Sequence, residues 1–463
     1  MPAAVLRCVN CHGPDGRGKP EGGIYPSNIR WSELSKPYAV TTRSGRERPP
    51  YSESLIIRAI TMGLDSGGNR LNVAMPKYQL TREQADDLVA YLKALDNLLD
   101  PGISDQSIKI GVILPPEETF GGMCRALRET LRAAFQKVND EGGLYGRRIL
   151  CVFNTAPEFS RAESFQKFIH QEQPFALVES FIAGNESEIN ICLEEDGIPL
   201  IGAISLFPGA DVPVNRYAFY LLSGVQGQSE ALAKFAAGSQ GIKAARSLVV
   251  YDEEEGIQSA IDRITKQAET IGWERPQTVK VSDAKDWSQL LGNGKVDAVF
   301  WLASGEHLGG FFSGAVASRV FPLVLAPSAF IGSEIYQAPS QFSGHLFLSF
   351  PILPSDQTKE GRLEYLEMAR TGGFSQGNLA ERLVALSATK LLIYGMEKAG
   401  KELTREKIVQ ILENLYHFET EQTPRLTFGP NRRVGATGAH VIGIDLEKKQ
   451  LLLPSTWIEL GSP

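Results

Sequence analysis

The hydrophobic positions of this chain change rhythm near residue 100. Before it, Leu55, Ile56, Ala59 and Ile60, then Ala85, Leu88, Val89, Leu92 and Leu95, recur every three or four residues. That is the repeat of helices with one apolar face. Thr81 stands at the N-cap position of the second helix, with acidic residues in its first turn. A linker over 96–107, carrying Pro101-Gly102, separates the two rhythms. Beyond it, short unbroken apolar runs alternate with helical patterns. The runs at 108–114, 148–153, 175–180, 199–203, 247–251, 298–303 and 322–326 predict buried strands. A long helix opens at Gly121-Gly122 with Leu127, Leu131, Ala134, Phe135 and Val138 on one face, and glycines at 142–143 supply its C-cap. Further helices are predicted over 161–171 and 379–399. This order predicts an α/β architecture with parallel sheets.

Composition adds a bound. At 463 residues, 43% hydrophobic and 22% charged, the chain is globular and too long for a single core. No apolar run reaches the roughly 18 residues of a membrane span. No basic segment leads into an apolar signal-like one. Residues 1–100 carry a formal charge of +2 within a total of −7, which leaves no nucleic-acid footprint.

The chemistry is concentrated in Cys8-Val9-Asn10-Cys11-His12. Two thiols three residues apart share one helical turn, where both can add to the vinyl groups on one haem edge, and the next residue can reach the iron. A thioredoxin-like C-x-x-C or half a zinc site uses the same cysteine spacing. Met75, in Leu71-Asn72-Val73-Ala74-Met75-Pro76, is the candidate second iron ligand. Met62 competes, although its apolar surroundings favour a core role. Cys124, Cys151 and Cys192 are left over in apolar contexts that favour buried structural thiols. Residues 4–97 resemble the small class I bacterial cytochromes c, through this motif, the Met75-Pro76 pair and the "ADDLVAYLKAL" helix. The resemblance implies one haem c held covalently by Cys8 and Cys11, with His12 and Met75 as axial ligands. It also implies that the Pro26 carbonyl accepts the Nδ1–H of His12. The start before Cys8 is shorter than in the family, and residues 41–52 form a basic insertion. Haem attachment of this kind implies a periplasmic protein whose export signal is removed or not included.

From 107 to 460 the chain resembles the type I periplasmic solute-binding proteins of the branched-chain amino acid and amide class. The resemblance rests on "IKIGVILP", "VNDEGGLYGRRILCVFNTAPEFSRAESFQKFI", "EEDGIPLIG" and "LTFGPNRR". The expected architecture is therefore multidomain, with a small all-α cytochrome c domain at 1–98 and a linker at 99–107. Residues 108–463 are expected to form two Rossmann-like lobes joined by a hinge. Lobe 1 falls near 108–220 and 352–428, lobe 2 near 221–351 and 429–463. Crossings are expected near 217–223, 347–352 and 428–433. Ligands bind at the carboxyl ends of parallel strands, which points to Phe120, Ser180, Phe181, Ser205 and Leu206 on lobe 1. Tyr220 and Ser223 fall at the hinge, and Asp252, Trp301, Ser304 and Ser328 on lobe 2. Aromatic and aliphatic neighbours favour a small aromatic, carboxylated or amide-like solute. Asp252 to Glu255 reads as a solvated acidic turn, and no Ser/His/Asp or paired-carboxylate catalytic site stands out. The expected function is electron transfer coupled to a solute-binding cleft, without enzymatic activity. A substrate-binding receptor for an ABC permease, or a solute sensor with an accessory haem, is the alternative; a haem enzyme is the weaker one. The expected partners are the solute and a periplasmic redox protein or the permease.

Overall fold

A computed structural model describes residues 7–13, 16, 18, 24–41, 47–95, 99–154, 162–209, 215–238, 240–242, 245–292 and 296–461. The start of the cytochrome-like region, the first linker residues at 96–98 and the expected helix start at Arg161 lie outside them. The chain forms two compact units, Met1–Asp100 and Pro101–Pro463.

The first unit contains α1 (Cys8–His12), α2 (Trp31–Leu34), a short hairpin of β1 (Val40–Thr41) and β2 (Glu47–Arg48), α3 (Glu53–Met62) and α4 (Arg82–Ala94). The hairpin overlaps the expected basic insertion of 41–52. Ile56, Val89, Leu92 and Leu95 join Leu34 in its core, as the helical repeat requires. Thr81 caps α4 in a reciprocal box. Its hydroxyl accepts from the Gln84 amide at 3.3 Å, and the Gln84 side chain accepts from the Thr81 amide at 3.0 Å. Thr81→Ala is expected to cost about 1 kcal/mol, read as an earlier midpoint in guanidinium denaturation of this unit within the full chain.

The second unit has two sheets. In lobe 1, β3 (Ser107–Ile113), β4 (Arg148–Asn154), β5 (Ala176–Val178), β6 (Leu200–Ile201) and β7 (Ala218–Phe219) lie parallel in the order β4-β3-β5-β6-β7. Between them run α5 (Glu117–Asp140), α6 (Ala162–Glu172) and α7 (Glu186–Asp196). The helix α5 starts before the expected Gly121-Gly122 and bends at Phe120 (φ −122°, ψ 33°). In lobe 2 the chain passes through α8 (Val225–Gly238), β8 (Ser247–Tyr251), α9 (Ile257–Thr270), β9 (Gln277–Lys280), α10 (Trp287–Gly292), β10 (Ala298–Leu302), α11 (Leu308–Ser318), β11 (Leu323–Pro327) and β12 (Leu346–Phe350). The chain then returns to lobe 1 as α12 (Lys359–Gly372), α13 (Leu379–Ala399) and α14 (Arg405–Leu412). Leu391, Leu392 and Ile408 from the last two complete the lobe 1 core around Ile110 and Leu177.

Two expectations about the fold need correction. The lobe 2 sheet is mixed, because β13 (Gly438–Asp445) and β14 (Gln450–Glu459) add antiparallel beyond β12. Strand β14 has no buried run, the signal that located β3, β4, β5, β6, β8, β10 and β11. The expected crossing at 347–352 is also shifted, since β12 is a full member of the lobe 2 sheet and the chain departs after it. At the hinge, the Tyr220 amide donates to the Arg433 carbonyl at 2.8 Å, and the Gly435 amide donates to the Tyr220 carbonyl at 2.9 Å. Among the described residues no helix is long and apolar enough to cross a membrane.

Candidate functional site

The residues of α1 form a single helical turn that ends at Gly13, and both the Cys8 and Cys11 side chains are exposed on it. His12 is buried, and its Nδ1 lies 2.8 Å from the Ser27 carbonyl oxygen. A carbonyl only accepts, so Nδ1 carries the proton and the Nε2 lone pair is left to bind a metal. Burial lowers the imidazole pKa and outweighs the opposing bond from Ser27, which keeps the ring neutral. The expected Pro26 carbonyl is not the partner. It is turned toward Gly18, where a Cβ would stand 2.2 Å from it at φ +92°, so only glycine allows that approach. The next carbonyl, that of Ser27, turns the other way and reaches the ring.

Met75 is half-buried and ends a turn in which its amide donates to the Asn72 carbonyl at 2.9 Å. Tyr78, three residues on, brings its hydroxyl to the Cys8 thiol; burial, then the two nearby thiols, raise its phenol pKa. Tyr78 is thus beside the two thiols, three residues along the chain from Met75. Met62 is not a core residue. It is 59% exposed at the end of α3, just before the left-handed Gly63 stops the helix. Two exposed thiols on one turn, beside a neutral imidazole fixed through Nδ1, fit a covalent haem c.

The cleft candidates divide into three groups. Phe120 and Phe181 pair with ring centroids 5.7 Å apart and remain partly exposed, because the bend in α5 turns Phe120 outward. Ser205, Leu206, Asp252, Ser304 and Ser328 are half-buried at loop positions. The rest serve the scaffold. The Ser180 hydroxyl accepts from the Ile113 amide at 3.0 Å and donates to the Val178 carbonyl at 3.2 Å. Trp301 is fully buried against Trp287 and Phe311 in the lobe 2 core, so its expected place in the cleft is corrected. Tyr220 is buried with its hydroxyl at Asn190. Ser223 staples the hinge, donating to the Ala436 carbonyl at 3.0 Å and accepting from the Gly438 amide at 2.9 Å.

Carboxylates gather around the half-buried group. Glu186, at the start of α7, is buried and accepts from the Ser205 hydroxyl and the Gly184 amide, each at 2.8 Å. On lobe 2, Asp252 accepts from the Ser304 amide at 2.9 Å. Burial, then the charges of Asp252 and Glu186, raise the Glu254 pKa. This acidic turn is not simply solvated, since it shares a field with a carboxylate of the other lobe. At the end of β5, Glu179 is buried, its Oε2 has no hydrogen-bond partner among the described residues, and burial holds its carboxyl well above the ordinary range. Gly202 makes room for it, because a Cβ there would lie 2.5 Å from that oxygen.

The profile of the periplasmic binding proteins matches residues 107–443. The chain belongs to this family. A cytochrome c profile matches residues 3–96, and such a domain implies covalently bound haem c. The fold of the periplasmic binding protein unit is shared with a fatty acid ABC transporter substrate-binding protein from Thermomonospora curvata, at 16% identity and TM-score 0.61, over 78% of this chain and 95% of that one. A leucine-binding protein from Thermotoga maritima matches at 18% identity and TM-score 0.57, over 76% and 99%. A branched-chain amino acid ABC transporter protein from Thermus thermophilus, with bound valine, matches at 14% and 0.58, over 78% and 98%. No curated protein matches the chain.

Within the periplasmic binding protein unit, sequence reasoning missed Glu186 and read Glu254 as part of a solvated turn, and the significance of each depends on a neighbour in the other lobe. It also missed a row of side chains beside the second crossing. His440 Nδ1 lies 2.9 Å from Ser455 Oγ, and its Nε2 lies 2.8 Å from Asp356. Asp356 also accepts from the Leu353 amide at 2.8 Å, so this row fastens the departing chain to β13 and β14.

Proposed function

We propose that this chain is a periplasmic haem protein that carries electrons through a His12/Met75 haem c, and that its cleft binds a small solute which regulates that transfer. What supports the coupling is the covalent joining of a haem-attachment helix to a two-lobed clamp in one polypeptide. A ligand shifts such a clamp only through different affinities for its open and closed forms. The solute we infer has a protonated amine beside an apolar or aromatic part. Glu186, Asp252 and Glu254 supply negative charge from both lobes, and Phe120 with Phe181 supplies an aromatic face. These carboxylates disfavour the carboxylated solute expected from sequence. The likeness to transporter substrate-binding proteins favours a second reading, delivery of the solute to an ABC permease.

Calorimetric titration with an arylalkylamine and the matched arylalkyl carboxylate tests the solute class. The amine is expected to bind and the acid to fail, and Glu254→Gln is expected to weaken the amine by on the order of tenfold. Because the Glu254 pKa is raised, its charge is lost at a higher pH than an ordinary carboxylate's as the solution is acidified. Affinity should fall with it. Reduction potential and electron-transfer rate, measured with and without the bound amine, then test the coupling. A change in either supports it, and no change in both leaves a receptor beside an independent cytochrome.

A further inference from the structure

On lobe 1, α5 and β4 enclose a groove of about 940 Å³ lined by Arg125, Arg128, Arg132 and Arg148. The first three recur at spacings of three and four along α5, so they stand on one helix face over about 10 Å. Among the described residues none of the four has a carboxylate partner. Glu117, two turns before Arg125 at the start of α5, and Glu129 also line the groove; the charge of Glu129 is spent on Arg382 at 2.7 Å. The guanidinium groups of Arg128 and Arg132 lie 5.8 and 5.2 Å from the Phe153 ring centroid, which holds them over the groove floor.

The floor is an edge strand, since β4 ends the order β4-β3-β5-β6-β7. Its outward direction can be read from Asn139. That side chain donates to the Ile149 carbonyl at 2.9 Å and accepts from the Ile149 amide at 2.7 Å, covering the edge at that residue. Main-chain groups of a strand face the same side at every second residue. Cys151 and Phe153 therefore turn their amide and carbonyl groups away from β3, and both line the groove. An open edge normally invites pairing with another strand. Here it lies beside a row of positive charge without carboxylate partners among the described residues, on a chain whose formal charge is −7.

We propose that this groove docks an extended, carboxylate-rich segment of a partner polypeptide, which adds to β4 as a further strand and places alternate acidic side chains against Arg125, Arg128 and Arg132. Alternate side chains of an extended segment stand about 7 Å apart, so the two carboxylates of a Glu-x-Glu spacing fall within the arginine row and share its three charges. Main-chain pairing supplies affinity, and the localised positive charge selects and orients the partner. This surface is separate from the solute cleft and does not depend on what that cleft binds.

The test is fluorescence anisotropy with the full haem-bearing chain and a labelled octapeptide of alternating Glu and Val. A Lys/Val octapeptide, the Glu/Val peptide N-methylated at alternate residues, and an eight-nucleotide oligothymidylate are the comparators. Saturable binding of the Glu/Val peptide alone is expected. Both N-methylation and the Arg128→Gln/Arg132→Gln double variant should weaken it about tenfold. Circular dichroism and thermal unfolding confirm that the double variant keeps its fold. The proposal is overturned if the Glu/Val peptide shows no saturable binding, or if the oligothymidylate binds as well as it does. Indifference to N-methylation or to the double variant overturns it equally. So does self-association of the double variant without peptide binding by the parent chain, because the arginines would then only guard the edge.

Discussion

Replacing Cys8 and Cys11 together with alanine is expected to abolish covalent haem. With a periplasmic haem-attachment system, the pyridine haemochrome signal that survives acid–acetone extraction should fall to background. The thiols stand exposed on one turn of α1 and carry the only bonds that would resist extraction. His12→Ala should retain the thioethers and lose the normal low-spin spectrum, because the Nε2 lone pair fixed through the 2.8 Å bond to Ser27 is removed. Met75→Leu distinguishes the two methionines. If Met75 closes the distal position, its loss should let the reduced protein bind carbon monoxide at neutral pH, and Met62→Leu should not. Carbon monoxide binding in the Met62 variant alone would move the ligand to Met62.

Arg382→Met is expected to destabilise the second unit by about 3–5 kcal/mol, the usual result of removing one partner from a buried ion pair. The Arg382 side chain has no exposed surface. Its guanidinium donates to Glu129 at 2.7 Å, to the Ser375 carbonyl at 2.9 Å, to Thr130 Oγ1 at 3.1 Å and to the Ala126 carbonyl at 3.2 Å. It also lies 4.6 Å from the Phe374 ring centroid. Methionine fills similar volume but leaves those acceptors and the Glu129 charge uncompensated. Lysine should recover only part of the loss, since it lacks the planar fork. Burial alone would raise the Glu129 pKa, yet the bonds from Arg382 and Ser375 outweigh it and hold the carboxyl below its usual range. The stability this adds is therefore complete above the unfolded pKa of about 4.3, and is lost as pH falls through the lowered folded value. Guanidinium denaturation across pH should show that acid loss in the parent chain and a flatter limb in Arg382→Met.

The fold was legible wherever its signal was local. The run at 247–251 and the apolar face at 379–399 reappear as β8 and α13 with those bounds. Strand β14 was not legible, because its half-exposed positions resemble a loop until β13 pairs with it. The cleft was legible as a set of loops but not as a set of free groups. Ser180 and Trp301 sit at the right ends of the right strands, and only packing shows that one serves the backbone and the other a core. Glu186 and Glu254 carry no joint signal in one dimension, since each looks like an ordinary acidic residue at a helix start or turn.

By itself the sequence determined the chemistry that a single helical turn can hold: two thiols and an imidazole whose spacing fits one haem edge. It also determined the order of strands and helices, because side-chain periodicity is set by local backbone geometry. The tertiary structure decided what depends on distant segments meeting. It chose Ser27 over Pro26 as the partner of His12, withdrew Ser180 and Trp301 from the cleft, and set Glu186 beside Glu254. It also placed β4 at the end of its sheet, among the described strands, under an arginine row. The physical reason is one of range: covalent spacing fixes which groups lie within one turn, whereas burial, hydrogen-bond commitment and net field at any residue are set by whatever the rest of the chain packs against it.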